Sequence, residues 1–108
     1  MNLPATTSPP AALVSAFQSL AEEWKAGTAF LSSTTAMIEH PSYRAIIALG
    51  PPVVPLILRD LEKEPAYWFA ALRAITGEDP APPEARGNFR AIADAWLVWG
   101  RSRGLLGV

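Results

Sequence analysis

Residues 48–61 read Ala-Leu-Gly-Pro-Pro-Val-Val-Pro-Leu-Ile-Leu-Arg-Asp-Leu, and this stretch decides the fold of the 108-residue chain. Its first half fits a helix that ends at Gly50 and a turn made by the two prolines that follow, since glycine stops helices and consecutive prolines cannot continue one. Its second half predicts a new helix over about 52–63, with Pro55 in the first turn, where proline is tolerated. The stretch therefore predicts two short helices joined by a tight turn.

A Pro-x-Tyr step precedes a helix on each side of that turn. Residues 40–43 (His-Pro-Ser-Tyr) return 24 positions later as residues 64–67 (Glu-Pro-Ala-Tyr). These steps predict helices over about 41–49 and 66–76, because the residue before a proline avoids the helical region and proline suits the first helical position. Gly77 is the expected C-cap of the second one.

Amphipathic stripes predict a longer helix on each flank. The first runs from about Pro9 to Ala26, where Gly27 is expected to stop it. The last runs from a cap at Asn88 to about Arg103. Their apolar positions recur at spacings of three and four: Leu13, Phe17, Leu20 and Trp24 in the first, and Phe89, Ile92, Trp96 and Trp99 in the last.

The remaining segments complete an all-α prediction. Residues 1–9 are expected to be a flexible N-terminal segment, and residues 10–108 a single helical domain. Residues 78–87 hold three prolines and a glycine, which indicates a semi-rigid loop. No alternating strand pattern is present, so we expect a small bundle of five or six short helices, with antiparallel neighbours and a helical hairpin in the middle.

Residues 28–40 leave two alternatives open. Ser33 or Thr34 can cap a short helix that continues to about residue 39. Otherwise the segment is a loop that places Phe30 and Leu31 in the core. The β-branched pair Thr34 and Thr35 weakens the helical alternative.

Composition narrows the classes of function. The net charge of −1 provides no overall field that attracts nucleic acid or membrane. The absence of cysteine excludes disulfides, thiol catalysis and zinc–thiolate sites, and it fits a reducing compartment. The amino terminus lacks the charged and apolar regions of a secretion signal, and no apolar run is long enough to span a bilayer. We therefore expect a cytoplasmic protein with no cofactor, no bound metal and no membrane partner.

Residues 48–61, together with residues 70–77 (Ala-Ala-Leu-Arg-Ala-Ile-Thr-Gly), carry a resemblance to HEAT repeats of the short, PBS-lyase-like type, which covers about residues 41–80. The family pattern is a helix-ending Ala-Leu-Gly, small residues, a β-branched residue, proline and leucines, followed by a helix with an Ala-Leu pair and a terminal glycine. In that family each two-helix unit buries one face against its neighbours, and the concave side commonly holds a protein partner. The resemblance implies a central HEAT-like hairpin with a binding role.

The aromatic and arginine residues of this hairpin are the candidate binding surface. If the apolar stripe of the helix over 66–76 faces the core, Trp68 lies about 100° away from it and is a candidate exposed anchor. The alternative is that Trp68 packs under the loop at 78–87. The predicted partner-binding residues are Tyr67, Trp68, Arg44, Arg59 and Arg73. Their partner is expected to be another protein or a second copy of the chain, as in a homodimer.

The C-terminal region offers a second candidate surface. Four arginines against one aspartate give residues 86–108 a local charge of +3. The possible nucleic-acid-binding residues are Arg86, Arg90, Arg101 and Arg103. The alternative is ordinary helix chemistry, in which Arg90 pairs with Asp94 and the last two arginines favour the negative end of the helix dipole. Trp96 and Trp99 are either core residues or an aromatic ridge for a partner.

No catalytic pattern is present. His40 is the only histidine, and no serine or carboxylate spacing around it resembles a triad. No glycine-rich nucleotide motif occurs. We therefore expect a non-catalytic protein–protein interaction module, such as a small adaptor, antitoxin or inhibitor. The alternative is a nucleic-acid-binding protein, and an enzyme is the third hypothesis.

Overall fold

Six α-helices form the described part of the chain, which in this computed structural model comprises residues 10–31, 33–64 and 66–106. The helices are α1 Ala11–Thr28, α2 Thr34–Ile38, α3 Pro41–Ala48, α4 Val54–Lys63, α5 Phe69–Thr76 and α6 Phe89–Ser102, with short 3-10 turns at Pro51–Val53 and Pro83–Ala85. These residues contain no strand, so the all-α prediction is confirmed. The predictions for residues 1–9 and for Pro65 lie outside the described residues.

The segment between α1 and α3 takes the helical alternative. Ser33 accepts a hydrogen bond from the Ala36 amide at 3.3 Å through its side-chain oxygen and so caps α2. Phe30 is 99% exposed and Leu31 is 42% exposed. The alternative that placed these two side chains in the core is therefore wrong.

Gly27 does not stop α1, which continues to Thr28. A side chain at this position would place its Cβ 2.5 Å from Nε2 of His40, so the glycine serves the close approach of the segment that precedes α3. Nδ1 of His40 accepts a hydrogen bond from the Ser42 amide at 3.1 Å. The lone histidine thus caps the start of α3, and its ring uses the space that the glycine leaves.

A side chain of α3 forms hydrogen bonds with the backbone at the start of α5. The helix begins at Phe69 instead of residue 66. The Tyr43 hydroxyl of α3 accepts a hydrogen bond from the Ala71 amide at 2.9 Å and donates one to the Tyr67 carbonyl at 2.7 Å. A first-turn amide of α5, which has no partner within its own helix, is therefore satisfied by a side chain of α3.

Each main contact joins two helices that are two places apart in the chain. α1 contacts α3, α3 contacts α5, and α4 contacts α6. One row therefore contains α1, α3 and α5, and a second contains α4 and α6. Gly100 permits the close approach of the second row, since a Cβ there would lie 2.7 Å from the buried Leu58 side chain. α4 also contacts α5, which joins the two rows.

An aromatic cluster lies at the centre of the first row. The rings of Trp24 and Trp68 are 4.6 Å apart between centroids, and Trp24 lies 4.9 Å from Tyr43. The centroid of the Phe17 ring lies 5.6 Å from that of Trp68, and the Tyr43 ring stacks on the Trp68 ring at 5.8 Å. Such offset and tilted contacts stabilise a core beyond the area that they bury.

Trp68 is fully buried in this cluster, with 0% of its surface exposed. Its indole Nε1 donates a hydrogen bond to Oδ2 of Asp60 at 2.8 Å. The prediction of an exposed anchor at Trp68 is therefore wrong. Trp68 precedes the first residue of α5, so the helical spacing used for that prediction does not fix the direction of its ring.

Substitutions at Trp68 and at the neighbouring Tyr67 distinguish the buried ring from the exposed one. Trp68→Ala removes a fully enclosed side chain and is expected to lower the free energy of unfolding by about 3–5 kcal/mol. Tyr67→Ala, at a residue that is 40% exposed, is expected to cost about 1 kcal/mol. Urea unfolding followed by circular dichroism measures both. Equal losses in the two variants would contradict the burial of Trp68.

Candidate functional site

The predicted partner-binding residues do not share one surface. Trp68 is in the core, Tyr67 is partly exposed, and Arg44, Arg59 and Arg73 are exposed. Arg59 lines a cleft between α1 and α4, together with Phe17 and Lys63. Arg73 and Tyr67 line two other concave regions. Arg44 lines none of these three.

Arg73 meets Arg86 in a groove of about 290 Å³ between α5, the proline-rich loop and α6. We call it the Arg73–Arg86 groove. Its walls include Asp79, Pro82, Pro83 and Ile92. The sequence predicts Arg73 as part of the partner surface and Arg86 as part of the nucleic-acid surface, and in the fold both line one groove.

The loop that carries Arg86 is held in place by its own hydrogen bonds. The Ala85 amide donates to the Pro82 carbonyl at 2.9 Å, and the Arg86 amide donates to the Pro83 carbonyl at 3.2 Å. Ala85 is only 4% exposed, so the loop also inserts a methyl group into the protein. Asn88 caps α6 by accepting from the Ala91 amide at 3.1 Å, as predicted. The part of the loop that carries Arg86 and leads into α6 is therefore fixed.

In the part of the chain that the structure describes, the two arginines of the groove have no carboxylate partner. Within residues 10–31, 33–64 and 66–106, neither Arg73 nor Arg86 has a carboxylate oxygen within 4.0 Å, although Asp79 lines the same groove. Exposed cations of this kind can form charge-assisted hydrogen bonds with an incoming anion without breaking an existing pair.

The other arginines of the C-terminal region are differently engaged. Arg101 donates to Glu62 at 3.0 Å and Arg103 donates to Glu78 at 3.0 Å. The Arg103 guanidinium also lies over the ring of Trp99, at 5.0 Å from its centroid. The pair that the spacing of Arg90 and Asp94 allows is not formed among the described residues. The four candidate nucleic-acid-binding residues are thus split between paired and unpaired cations.

The two tryptophans of α6 have different environments. Trp96 is fully buried, and its indole nitrogen has no hydrogen-bond partner in the described part of the chain. Trp99 is half-buried and donates to Glu78 at 3.3 Å. Their rings meet edge to face at 5.2 Å. Trp96 is thus a core residue, and only Trp99 reaches the surface.

Tyr67 lines a second concave region, of about 230 Å³, which we call the Tyr67 pocket. Trp24 and Thr28 of α1 and Met37 of α2 form much of its wall, and Lys25 and Glu64 lie at its edge. The Trp24 indole donates to the Met37 carbonyl at 2.9 Å, which fixes α2 against α1. The sequence did not indicate this pocket, because α2 has only a weak helix signal.

Lys25 connects the edge of this pocket to α4. Its Nζ donates to Asp60 at 2.8 Å and to Glu64 at 3.2 Å. Burial acts to lower the pKa of Lys25, but hydrogen bonds and charge from the two carboxylates outweigh it and raise the pKa above its ordinary 10.5. The ammonium therefore stays charged throughout the neutral range.

The hydroxyl of Tyr43 is the most strongly perturbed group. Burial raises the pKa of Tyr43 from 10.0 to about 12, against the opposing effects of the Ala71 amide and the Arg73 charge. The phenol is therefore neutral at physiological pH and acts as a structural hydrogen-bond donor and acceptor.

The acidic residues near the hairpin do not converge on one centre. Glu62, Glu64 and Glu78 each pair with a different cation: Arg101, Lys25 and Arg103. In the described ranges, no three His, Cys, Asp or Glu residues lie together in a way that could hold a metal ion. No helix there combines the length and apolarity that a bilayer crossing requires.

The comparisons with known proteins found no similar protein. No protein-family model, no curated protein and no solved structure matches the chain.

The raised pKa of Tyr43 makes stability depend on alkaline pH. The folded pKa lies above the unfolded value, so this contribution is complete below about pH 10 and is lost as the pH rises towards 12. The expected loss is about 2–3 kcal/mol. Urea unfolding of the wild-type protein and Tyr43→Phe between pH 8 and about pH 12 measures it.

The phenylalanine variant shares every other titrating group and serves as the reference. At pH 8 it should be less stable than the wild type by about 1–3 kcal/mol, because the Ala71 amide loses its acceptor. This difference should shrink as the pH rises through the window. A difference that stays constant with pH would rule out the perturbed phenol.

Proposed function

We propose that the protein is a non-catalytic protein–protein interaction module, whose Arg73–Arg86 groove binds an acidic segment of another protein. The observation that carries this proposal is that one groove is lined by Arg73 of α5 and Arg86 of the proline-rich loop, neither of which has a carboxylate partner among the described residues. Arginine suits carboxylate recognition, because its planar group can donate two parallel hydrogen bonds.

The rigidity of the groove supports a binding role. Proline side chains and the short 3-10 turn restrict the loop before any ligand arrives. A preorganised site loses less conformational entropy on binding than a flexible one. The arginines therefore supply orientation and specificity, while the apolar walls formed by Pro82, Pro83 and Ile92 exclude water.

The size of the groove indicates the kind of ligand. At about 290 Å³ it is at the lower limit of the volumes that hold a drug-sized molecule or a cofactor. One or two side chains of a peptide fit such a volume. We therefore favour a short segment that presents glutamate or aspartate carboxylates to Arg73 and Arg86.

The arrangement of the helices supports the HEAT-like part of the proposal. Contacts of α1 with α3, of α3 with α5 and of α4 with α6 give two rows, as expected where helical hairpins are stacked. In this proposal α4 and α5 belong to the HEAT-like unit, and α6 closes its exposed end. A cytoplasmic location belongs to the same proposal, supported by the absence of cysteine from all 108 residues.

Nucleic acid is the less favoured partner. Two of the four arginines suggested for that role, Arg101 and Arg103, already pair with glutamates. The net charge of −1 adds no general attraction to phosphates. A nucleic-acid interface would need several unpaired cations on one face, and the groove offers two.

A fluorescent peptide of alternating Glu and Ala residues tests the groove. Fluorescence anisotropy should detect saturable binding to the wild-type protein, and Arg73→Gln combined with Arg86→Gln should weaken it at least about tenfold, because both charge-assisted contacts are lost. Arg90→Gln removes an exposed arginine outside the groove and is the matched control, which should bind like the wild type.

Two further probes distinguish the alternatives. A peptide of alternating Lys and Ala residues should not bind, whereas single-stranded and duplex DNA should bind only weakly and lose affinity steeply with salt. Binding of DNA that depends equally on Arg86 and Arg90 would favour the nucleic-acid alternative. Equal binding of the acidic peptide by wild type and the double variant would eliminate the groove as its site.

A further inference from the structure

Phe30 is the most exposed large hydrophobic residue of the described chain. It is 99% exposed, and the neighbouring Leu31 is 42% exposed. The two residues lie just after α1, where the Leu31 amide donates to the Thr28 carbonyl at 3.0 Å and so holds the backbone in a turn. An ordered turn thus presents a phenyl ring to solvent, where it gains none of the stabilisation that burial of such a side chain provides.

The Tyr67 pocket lies beside this ring. Thr28 lines the pocket, and two residues of chain span at most about 7 Å, so Phe30 is anchored within that distance of the wall. The ring does not occupy the pocket of its own chain, because it remains almost fully exposed. A fully exposed ring therefore lies a short distance along the chain from a concave region.

The pocket has the size and chemistry that a phenyl ring requires. Its volume is about 230 Å³, and an apolar cavity of about 150 Å³ already accommodates benzene. Tyr67, which is 40% exposed, offers an aromatic surface, and Met37 offers a thioether, which contacts aromatic rings favourably. The indole nitrogen of Trp24 is already satisfied by the Met37 carbonyl, so covering the pocket leaves it with its partner.

The charges that line the pocket are paired within one copy. Lys25 donates to Asp60 at 2.8 Å and to Glu64 at 3.2 Å, so covering the pocket leaves this ammonium group with its partners. A two-fold axis lets the projecting ring of each copy meet the concave region of the other, which is the self-complementarity that isologous contacts require.

We infer that the chain forms a two-fold symmetric homodimer, in which Phe30 of each copy inserts into the Tyr67 pocket of the other. This assembly uses a surface separate from the Arg73–Arg86 groove and does not rest on the function proposed for that groove. Reciprocal exchange closes the assembly at two copies, since both projections and both pockets are then occupied.

The extent of the contact indicates a weak, reversible dimer. A buried phenyl ring contributes about 150–250 Å², so the two rings supply about 300–500 Å² before their surroundings are counted. With the pocket walls and Leu31 the interface is expected near the lower limit for specific association, about 1,000 Å². The dimer should therefore dissociate in the micromolar range.

Sedimentation velocity of the full chain, from a few micromolar to about 1 mM, tests this inference. The wild-type protein should shift from the mass of one copy to that of two as concentration rises. Phe30→Ala should raise the dissociation constant at least about tenfold, since it removes a central aromatic anchor. Because Phe30 is exposed, this substitution leaves the fold intact.

Three further variants sharpen the result. Met37→Lys places an ammonium group in the pocket and should weaken association as strongly as Phe30→Ala, with the helical circular dichroism unchanged. Val98→Ala removes another exposed aliphatic side chain, 63% exposed on α6, and should dimerise like the wild type. The Arg73→Gln and Arg86→Gln double variant should also dimerise normally, so a failure of the groove proposal remains separate from a failure of this one.

Three outcomes overturn the inference. A wild-type protein that stays monomeric up to the highest concentration has no such dimer, and Phe30 then serves another partner or none. A dimer that Phe30→Ala leaves unchanged uses a different surface. A series of masses that grows beyond two copies means a head-to-tail contact, which excludes the reciprocal arrangement.

Discussion

The hydrogen bond from the Trp68 indole to Asp60 fixes the relation between the helices. A buried indole N–H without an acceptor costs about 1–3 kcal/mol, so an acceptor for Nε1 favours the burial of this ring. Asp60 of α4 provides that partner and also accepts from Lys25 of α1. One partly buried carboxylate therefore holds α1, α4 and the segment before α5 in a fixed arrangement, and the aromatic cluster forms around it.

Tyr43 completes this arrangement from the other side. Its hydroxyl joins the Tyr67 carbonyl and the Ala71 amide, so the backbone around Trp68 is held on both flanks. This explains why consecutive aromatic residues have opposite environments. Trp68 points into the core, while Tyr67 remains partly exposed and packs edge to face against Phe89 at 5.2 Å. The two hydrogen bonds of the Tyr43 hydroxyl thus determine which aromatic residue of this segment, Tyr67, lies at the surface.

Sequence patterns predicted those features that depend on nearby residues. The cap at Asn88, the C-cap at Gly77 and the break between the central helices follow from local chemistry, and the structure has all three. The predicted start of α5 lies three residues too early, at 66 instead of 69. The Ala71 amide in the first turn of α5 is satisfied by the Tyr43 hydroxyl, 28 positions away in the sequence, and local patterns do not show this contact. The same reason accounts for Trp68, whose environment is set by Asp60 and not by the period of a helix. The meeting of Arg73 with Arg86 depends on the path of the proline-rich loop, which no residue spacing specifies.

The core and the Arg73–Arg86 groove are linked through one side chain. Arg73 lines the groove, and its charge also opposes the burial that raises the pKa of Tyr43. The charge that attracts a carboxylate in the groove is therefore the charge that favours the phenolate in the core. An acidic ligand offsets it and so strengthens the preference of Tyr43 for its neutral form, in which the hydroxyl can donate to the Tyr67 carbonyl. Because that form already prevails at physiological pH, an acidic ligand in the groove affects the Tyr43 hydroxyl only at alkaline pH, where it delays the loss of the proton that the hydroxyl donates to the Tyr67 carbonyl.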